Sequence, residues 1–172
     1  HITIDDGLSN NAVTALLQDS RGFLWIGTVG GLDRYDGINL HSYKTAGPKS
    51  NTISNNYINC LYEDSKGNIW IGTNSGGLNV FNWNTGIIEV FRQEADKQNA
   101  LPDNNVRDIQ DDKKVNVWIL TVADGLVSCN PADRKFKRFT EDKKGIPLGV
   151  VSAFFIDKDG LFWIYSDSKG LL

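Results

Sequence analysis

Phe23-Leu24-Trp25-Ile26-Gly27-Thr28 decides the fold, because the phrase returns three times along the chain. Its later copies are Asn68-Ile69-Trp70-Ile71-Gly72-Thr73, Asn116-Val117-Trp118-Ile119-Leu120-Thr121 and Leu161-Phe162-Trp163-Ile164-Tyr165-Ser166. The four tryptophans stand 45, 48 and 45 residues apart. A tandem period of that length, built from short strands, marks propeller blades of about 40–50 residues each. The expected fold is all-β: a β-propeller fragment of about four four-stranded antiparallel blades.

Other positions keep step with the tryptophan. Twelve residues before it stand Val13, Ile58, Val106 and Val151, and six before it Asp19, Asp64, Asp112 and Asp157. Three before it are Gly22, Gly67 and Gly160, with Val115 breaking the series. Each unit therefore reads as strand a, an Asp-x-x-Gly turn, strand b with the tryptophan, a Gly-rich turn, strand c, a second turn and strand d. Strand d is expected over Leu40 to Tyr43, Ile88 to Phe91 and Phe136 to Phe139. Strand b is apolar on both faces: Trp25 and Gly27 point one way, Leu24 and Ile26 the other. Such a strand must be covered on both sides, as a blade between two blades is. Gly27 and Gly72 leave room on the tryptophan face, whereas Leu120 and Tyr165 fill that position and imply different packing.

The unit limits fall near 7–49, 50–97, 98–144 and 145–172, within one partial propeller domain over 1–172. In the first three units Gly31-Leu32, Gly77-Leu78 and Gly125-Leu126 open a further two-strand segment, but Gly170-Leu171 almost ends the chain. The fourth unit is thus read as truncated and the chain as part of a larger propeller. Residues 1–6, with Ile2 and Ile4 alternating, stand where a closing outer strand belongs. Apolar blade faces without partners lead us to expect association with another copy rather than a small four-bladed ring.

Composition narrows the function classes. A net charge of −3 with no long Lys/Arg run argues against nucleic acid. No apolar run reaches the 18 residues or so that a membrane helix needs. Cys60 and Cys129 fall on different strands of successive units, too far apart for a disulfide, and are read as free buried thiols.

The d–a and b–c loops of a propeller share one face. That face is expected to collect Asn11, Asn56 and Asn105 from the d–a loops and Asn74 and Asp124 from the b–c loops. Eleven before each tryptophan, just inside the channel mouth, come Thr14, Asn59, Arg107 and Ser152. Amides and hydroxyls with one arginine suit a polyhydroxy or anionic ligand, and Asn11, Asn56, Asn59, Asn74, Asn105, Arg107 and Asp124 are the candidate binding set. The competing reading is structural: Asn-Asn and Asp-Asn pairs tie down their own turns, and Arg107 pairs with Asp103 or Asp108. Trp83, outside the repeat register, is either a stacking platform for a sugar or partner, or the cover of a hairpin edge.

An enzyme finds little support. The only histidines are His1 and His41, which leaves no convincing nucleophile–base set or His-rich metal site. The aspartates are turn formers, and even Asp157-Lys158-Asp159-Gly160 lacks the loop of an EF-hand. A sialidase Asp box would put its aspartate five before the aromatic residue, and here it stands six before. No catalytic residue, cofactor or metal is expected.

The run from Asp6-Gly7-Leu8-Ser9-Asn10-Asn11 through Gln18-Asp19-Ser20-Arg21-Gly22-Phe23-Leu24-Trp25-Ile26-Gly27-Thr28 to Gly31-Leu32-Asp33-Arg34-Tyr35-Asp36-Gly37 resembles the two-component regulator propeller repeat. Ile53-Ser54-Asn55-Asn56 through Gly76-Gly77-Leu78-Asn79-Val80-Phe81 repeats it, and the third and fourth units drift from it. The resemblance implies a parent of the hybrid two-component sensor type, as in Bacteroides-like bacteria: periplasmic propellers, a membrane helix, a histidine kinase and a receiver. It also implies glycan or oligosaccharide sensing by a non-enzymatic input region. The alternatives held beside it are a structural or protein-interaction propeller with no ligand site of its own and, more remotely, a propeller lyase or glycosidase.

Overall fold

The computed structural model describes residues 1–46, 51–94, 99–141 and 147–172. Four antiparallel meanders follow one another along the chain. The first is β1 (Val13–Gln18), β2 (Leu24–Thr28), β3 (Leu32–Tyr35) and β4 (Leu40–Tyr43). The second is β5 (Ile58–Glu63), β6 (Ile69–Thr73), β7 (Leu78–Asn82) and β8 (Ile87–Phe91). The third is β9 (Val106–Asp111), β10 (Val117–Thr121), β11 (Gly125–Cys129) and β12 (Phe136–Phe139). The fourth has three strands, β13 (Val151–Ile156), β14 (Phe162–Ser166) and β15 (Gly170–Leu171). Each sheet is one propeller blade. The unit limits expected at 49/50, 97/98 and 144/145 lie outside the described residues.

One carboxylate organises each a–b turn. Oδ1 of Asp19 accepts the N–H groups of Arg21 and Phe23 at 3.0 and 2.9 Å, while Oδ2 accepts the Trp25 indole Nε1–H at 2.8 Å. Asp64 does the same for Trp70 at 2.9 Å, Asp157 for Trp163 at 3.0 Å and Asp112 for Trp118 at 3.4 Å. The fixed six-residue spacing thus ties the turn to the tryptophan rotamer. Gly22, Gly67 and Gly160 take φ of 91°, 76° and 79°, a region that suits glycine. In the third blade, where Val115 replaces glycine, the left-handed residue is Lys113 instead, at φ 53°.

Blades stack through the two faces of strand b. Trp25, Leu32 and Tyr43 of the first blade meet Ile58, Ile69, Ile71, Phe81 and Ile88 of the second. Trp70, Leu78 and Val80 then meet Val106, Ile109, Val117 and Ile119, and Leu120 and Leu126 meet Val151, Phe154 and Ile164. Ile53, Leu101 and Leu148, each just before its strand a, plug the three interfaces. Removing side chains of this size from water contributes roughly 1.5–3 kcal/mol each. The glycines after the first two tryptophans are close-approach sites. A methyl group on Gly27 would lie 2.7 Å from Ile58 Cγ2, and one on Gly72 would run into Cys60 Sγ and lie 2.7 Å from Val106 Cγ1.

Three expectations need correction. Residues 1–6 form no closing strand: Ile4–Asp6 is a 3-10 turn, because Thr3 and Asp6 make a reciprocal capping box and Gly7 terminates it at φ 101°. The four tryptophans are equivalent in position but not in burial. Trp25 and Trp70 are fully buried, Trp118 partly, and Trp163 is 46% exposed because no further blade covers its face among the described residues. Both thiols are free, but only Cys129 is fully buried; Cys60 is half-buried, and burial pushes the Cys129 thiol up to about 12.

Candidate functional site

The first strands of the blades lie side by side, and each carries a β-bulge at the same place. In β1 the register runs from Val13–Thr28 to Ala15–Gly27, leaving Thr14 as the extra residue. Asn59 in β5, Arg107 in β9 and Ser152 in β13 are the corresponding extra residues. A bulge leaves one residue out of the ladder and re-aims its side chain. The re-aimed groups reach across to the next blade. Thr14 Oγ1 donates to the Ile58 carbonyl at 2.6 Å, Asn59 Nδ2 to the Val106 carbonyl at 2.8 Å, and an Arg107 guanidinium N–H to the Ser152 carbonyl at 3.5 Å. The ring of polar residues expected at the channel mouth is therefore also a series of blade-to-blade clips.

Above the clips of the first three blades opens a cleft of about 410 Å³, lined by Thr14, Tyr57, Asn59, Asn74, Asn105, Arg107 and Val122. Four members of the candidate set meet here: Asn59, Asn74, Asn105 and Arg107. They are held by the backbone around them. The Asn74 N–H donates to the Tyr57 carbonyl at 3.0 Å, the Val122 N–H to the Asn105 carbonyl at 3.0 Å, and Asn59 Nδ2 also reaches Asn105 Oδ1 at 3.2 Å. Among the described residues Arg107 makes no ion pair with Asp103 or Asp108, contrary to that expectation. Asp103 instead accepts the Asn105 and Ala123 N–H groups, and Asp108 accepts Gln110 Nε2 and the Ile109 N–H. The exposed guanidinium has five N–H donors, more than the one long bond to Ser152 uses.

Asn11, Asn56 and Asp124 stand apart from the cleft. Asn11 Oδ1 accepts the Ile4 N–H at 3.0 Å and Asn56 Oδ1 the Thr45 N–H at 2.7 Å, so both fasten their own loops. Asp124 pairs with Arg138 at 3.0 Å and lines a separate cleft of about 200 Å³ between the third and fourth blades. Three lining residues, Thr14, Tyr57 and Val122, were not in the candidate set, though Thr14 was expected at the channel mouth. Tyr57 is the one aromatic residue thirteen before a repeat tryptophan, where Ala12, Asn105 and Val150 stand elsewhere. That oddity was the available signal.

Trp83 is no open platform. Its ring lies 5.2 Å from those of Phe23 and Phe81 and 6.1 Å from that of Trp25, with the Arg21 and Arg34 guanidinium groups 4.9 and 5.1 Å from its centre. It caps the first interface from the c–d turn of the second blade. Arg134, from the c–d turn of the third blade, does likewise over Trp70 at 5.1 Å. His41 packs edge-on against Tyr43. No group of His, Cys, Asp or Glu able to hold a metal ion occurs among the described residues.

The family model for the two-component regulator propeller matches residues 7–30 and 52–75, the first two blades' loops and a–b hairpins. No curated protein matches the chain. Among solved structures, the chain is similar to the extracellular domain assigned to a hybrid two-component system of B. thetaiotaomicron. The identity is 28% and the TM-score 0.86, over 99% of this chain and 24% of that one. A second extracellular domain from the same organism, assigned to a one-component system, is 21% identical with a TM-score of 0.52, over 95% of this chain and 30% of that one. Virginiamycin B lyase of Staphylococcus aureus, 15% identical over 94% of this chain and 54% of that one, has a TM-score of 0.65 and shares the fold alone. The chain spans about a quarter of the first relative's length. No helix among the described residues is long and apolar enough to cross a membrane. Two blades match the two-component regulator propeller model, and the four together overlay on the extracellular domain of a hybrid two-component system.

Proposed function

We propose that the chain is a ligand-sensing part of the extracytoplasmic, periplasmic region of a hybrid two-component sensor, and that its ligand is an oligosaccharide. The observation that carries the reading is the likeness, along 99% of the chain, to an extracellular domain of such a system. The cleft supports the ligand class: amides of Asn59, Asn74 and Asn105, the Tyr57 ring and one exposed guanidinium offer hydrogen bonds and a stacking surface. Ligand bias on the propeller would reach the kinase of the parent through its membrane helix as a shift between two states.

A structural propeller without a ligand site is the second reading, favoured by the clips that employ Thr14, Asn59 and Arg107 between blades. Calorimetric titration of a glycan library into the chain and into an Arg107→Ala variant separates the two. Binding that weakens at least tenfold in the variant supports the oligosaccharide reading. No heat with any glycan, or unchanged affinity in the variant, assigns these blades to scaffolding.

A further inference from the structure

One arginine of the first blade departs from the repeat. Opposite the strand-b tryptophan, β7 places Val80 and β11 places Ser128, but β3 places Arg34. Blade-to-blade packing therefore does not call for a cation at this position. The Arg34 guanidinium lies 4.9 Å from the centre of the Phe23 ring, 5.1 Å from that of Trp83 and 5.8 Å from that of Trp25. Among the described residues its side chain makes no hydrogen bond and no ion pair. Arg21, from the a–b turn, lies 4.9 Å from the centre of the same Trp83 ring. Its own polar contacts are long, at 3.4 Å to the Gly67 carbonyl and 3.8 Å to Glu63. Glu63 is already committed, since its two oxygens accept the Ser20 hydroxyl and N–H at 2.6 and 2.8 Å. The buried Trp83 Nε1–H has no acceptor either. Donors thus exceed acceptors at this corner, an imbalance that native interiors rarely leave without a cause. Both blades that build the corner face each other here with all four strands complete.

We infer that Arg34, with Arg21 beside it, is a binding site for an oxyanion, the carboxylate or sulfate group of a ligand. It lies at the a–b and c–d turn end of the first junction, away from the cleft, and does not depend on what the cleft binds. Stacking on rings engages the face of a guanidinium and leaves its five in-plane N–H donors for an anion. The rings also hold the group in place, so little side-chain freedom is left to lose when the anion docks. Charge-assisted, bidentate bonds of this kind are the strong class. Capping a tryptophan does not by itself explain the arrangement. Arg134, which caps Trp70 at the next junction, has Glu89 at 3.7 Å, whereas Arg34 has no such carboxylate.

Titration followed through the Arg34 Nε–H and Trp83 indole N–H resonances tests the site. The probes are sodium sulfate and sodium glucuronate, with sodium chloride holding the ionic strength and glucose as the neutral control. Both resonances should shift saturably with at least one probe, and the stronger probe tells which oxyanion is preferred; glucose should move neither. Arg34→Val installs the residue of the second blade, so circular dichroism should be unchanged while the affinity read at Trp83 falls at least tenfold. Arg34→Lys keeps the charge but not the planar fork, and its affinity should fall between the two. Linear, unsaturable drift with both probes overturns the inference. So does an affinity that is unchanged in either variant.

Discussion

The junction between the first and second blades and that between the third and fourth solve one packing problem in two ways. At the first, Gly27 lets Ile58 press against the sheet, and Trp25 is sealed by Tyr43, Phe81 and Trp83 with two arginines above. At the second, Leu120 fills the glycine's place and Trp118 is only partly covered, by Phe139 and Phe162. Gln110 spans the remaining gap, its amide donating to the Phe154 carbonyl at 3.1 Å and accepting the Ile156 N–H at 3.0 Å. A strand-like side-chain amide thus stands in for lost apolar contact. The repeat fixes where blades meet, while each junction chooses how much of the contact is dry.

The largest effect should come from emptying a sealed tryptophan site. Trp70→Ala is expected to cost about 3–5 kcal/mol in urea unfolding, and Trp163→Ala, at a half-exposed position, only a fraction of that. Equal costs would break the comparison. Gly72→Ala comes next, at about 1–3 kcal/mol for forcing a methyl group against Cys60 and Val106. The matching change at the third blade, Leu120→Ala, should cost through a cavity instead, and Cys60→Ala should relieve the first variant but not the second.

Asp64→Ala leaves the buried Trp70 indole N–H unsatisfied, a loss of about 1–3 kcal/mol; Asp157→Ala, whose indole partner meets water, should lose less. Gln110→Ala should cost roughly 0.5–1.5 kcal/mol per bond lost, with no counterpart at the first junction. The smallest effect is on pH dependence. Burial pushes the Asp112 carboxyl up, but the N–H groups of Asn116, Val115 and Lys114 and the Asn116 amide outweigh it and hold its pKa at about 2. The Trp163 indole and the Leu161 and Asp159 N–H groups likewise hold Asp157 below its ordinary value. A depressed folded pKa stabilises above the ordinary carboxylate value, and that contribution is lost as pH falls from about 4 towards 2. The urea midpoint should therefore fall less steeply over that range in Asp112→Asn than in the unmodified chain.

Most of the fold was legible because the repeat fixed the strands in register. Strands β4 and β12 match the expected Leu40 to Tyr43 and Phe136 to Phe139, and the b strands present two apolar faces as read. The closing strand at 1–6 was misread because alternation of Ile2 and Ile4 says nothing about the Thr3–Asp6 capping box that competes with it. The aspartate's second bond, to the indole, lies behind its spacing but not in its turn chemistry. The cleft was half legible. Position marked Asn59 and Arg107, but the bulges that aim them, and the loop bonds that occupy Asn11 and Asn56, depend on ladder register between strands.

Hydrogen exchange of the four repeat indole N–H protons, followed by NMR, tests the repeated-interface account most directly. All four donate to a turn aspartate, Trp118 over the longest distance at 3.4 Å, so the rates of Trp25, Trp70 and Trp163, bonded at 2.8, 2.9 and 3.0 Å, report the blade cover most directly. The Trp25 and Trp70 protons should exchange slowest, Trp118 at an intermediate rate and Trp163 fastest. Protection of Trp163 equal to that of Trp70, or a Trp25 proton that exchanges freely, would contradict it.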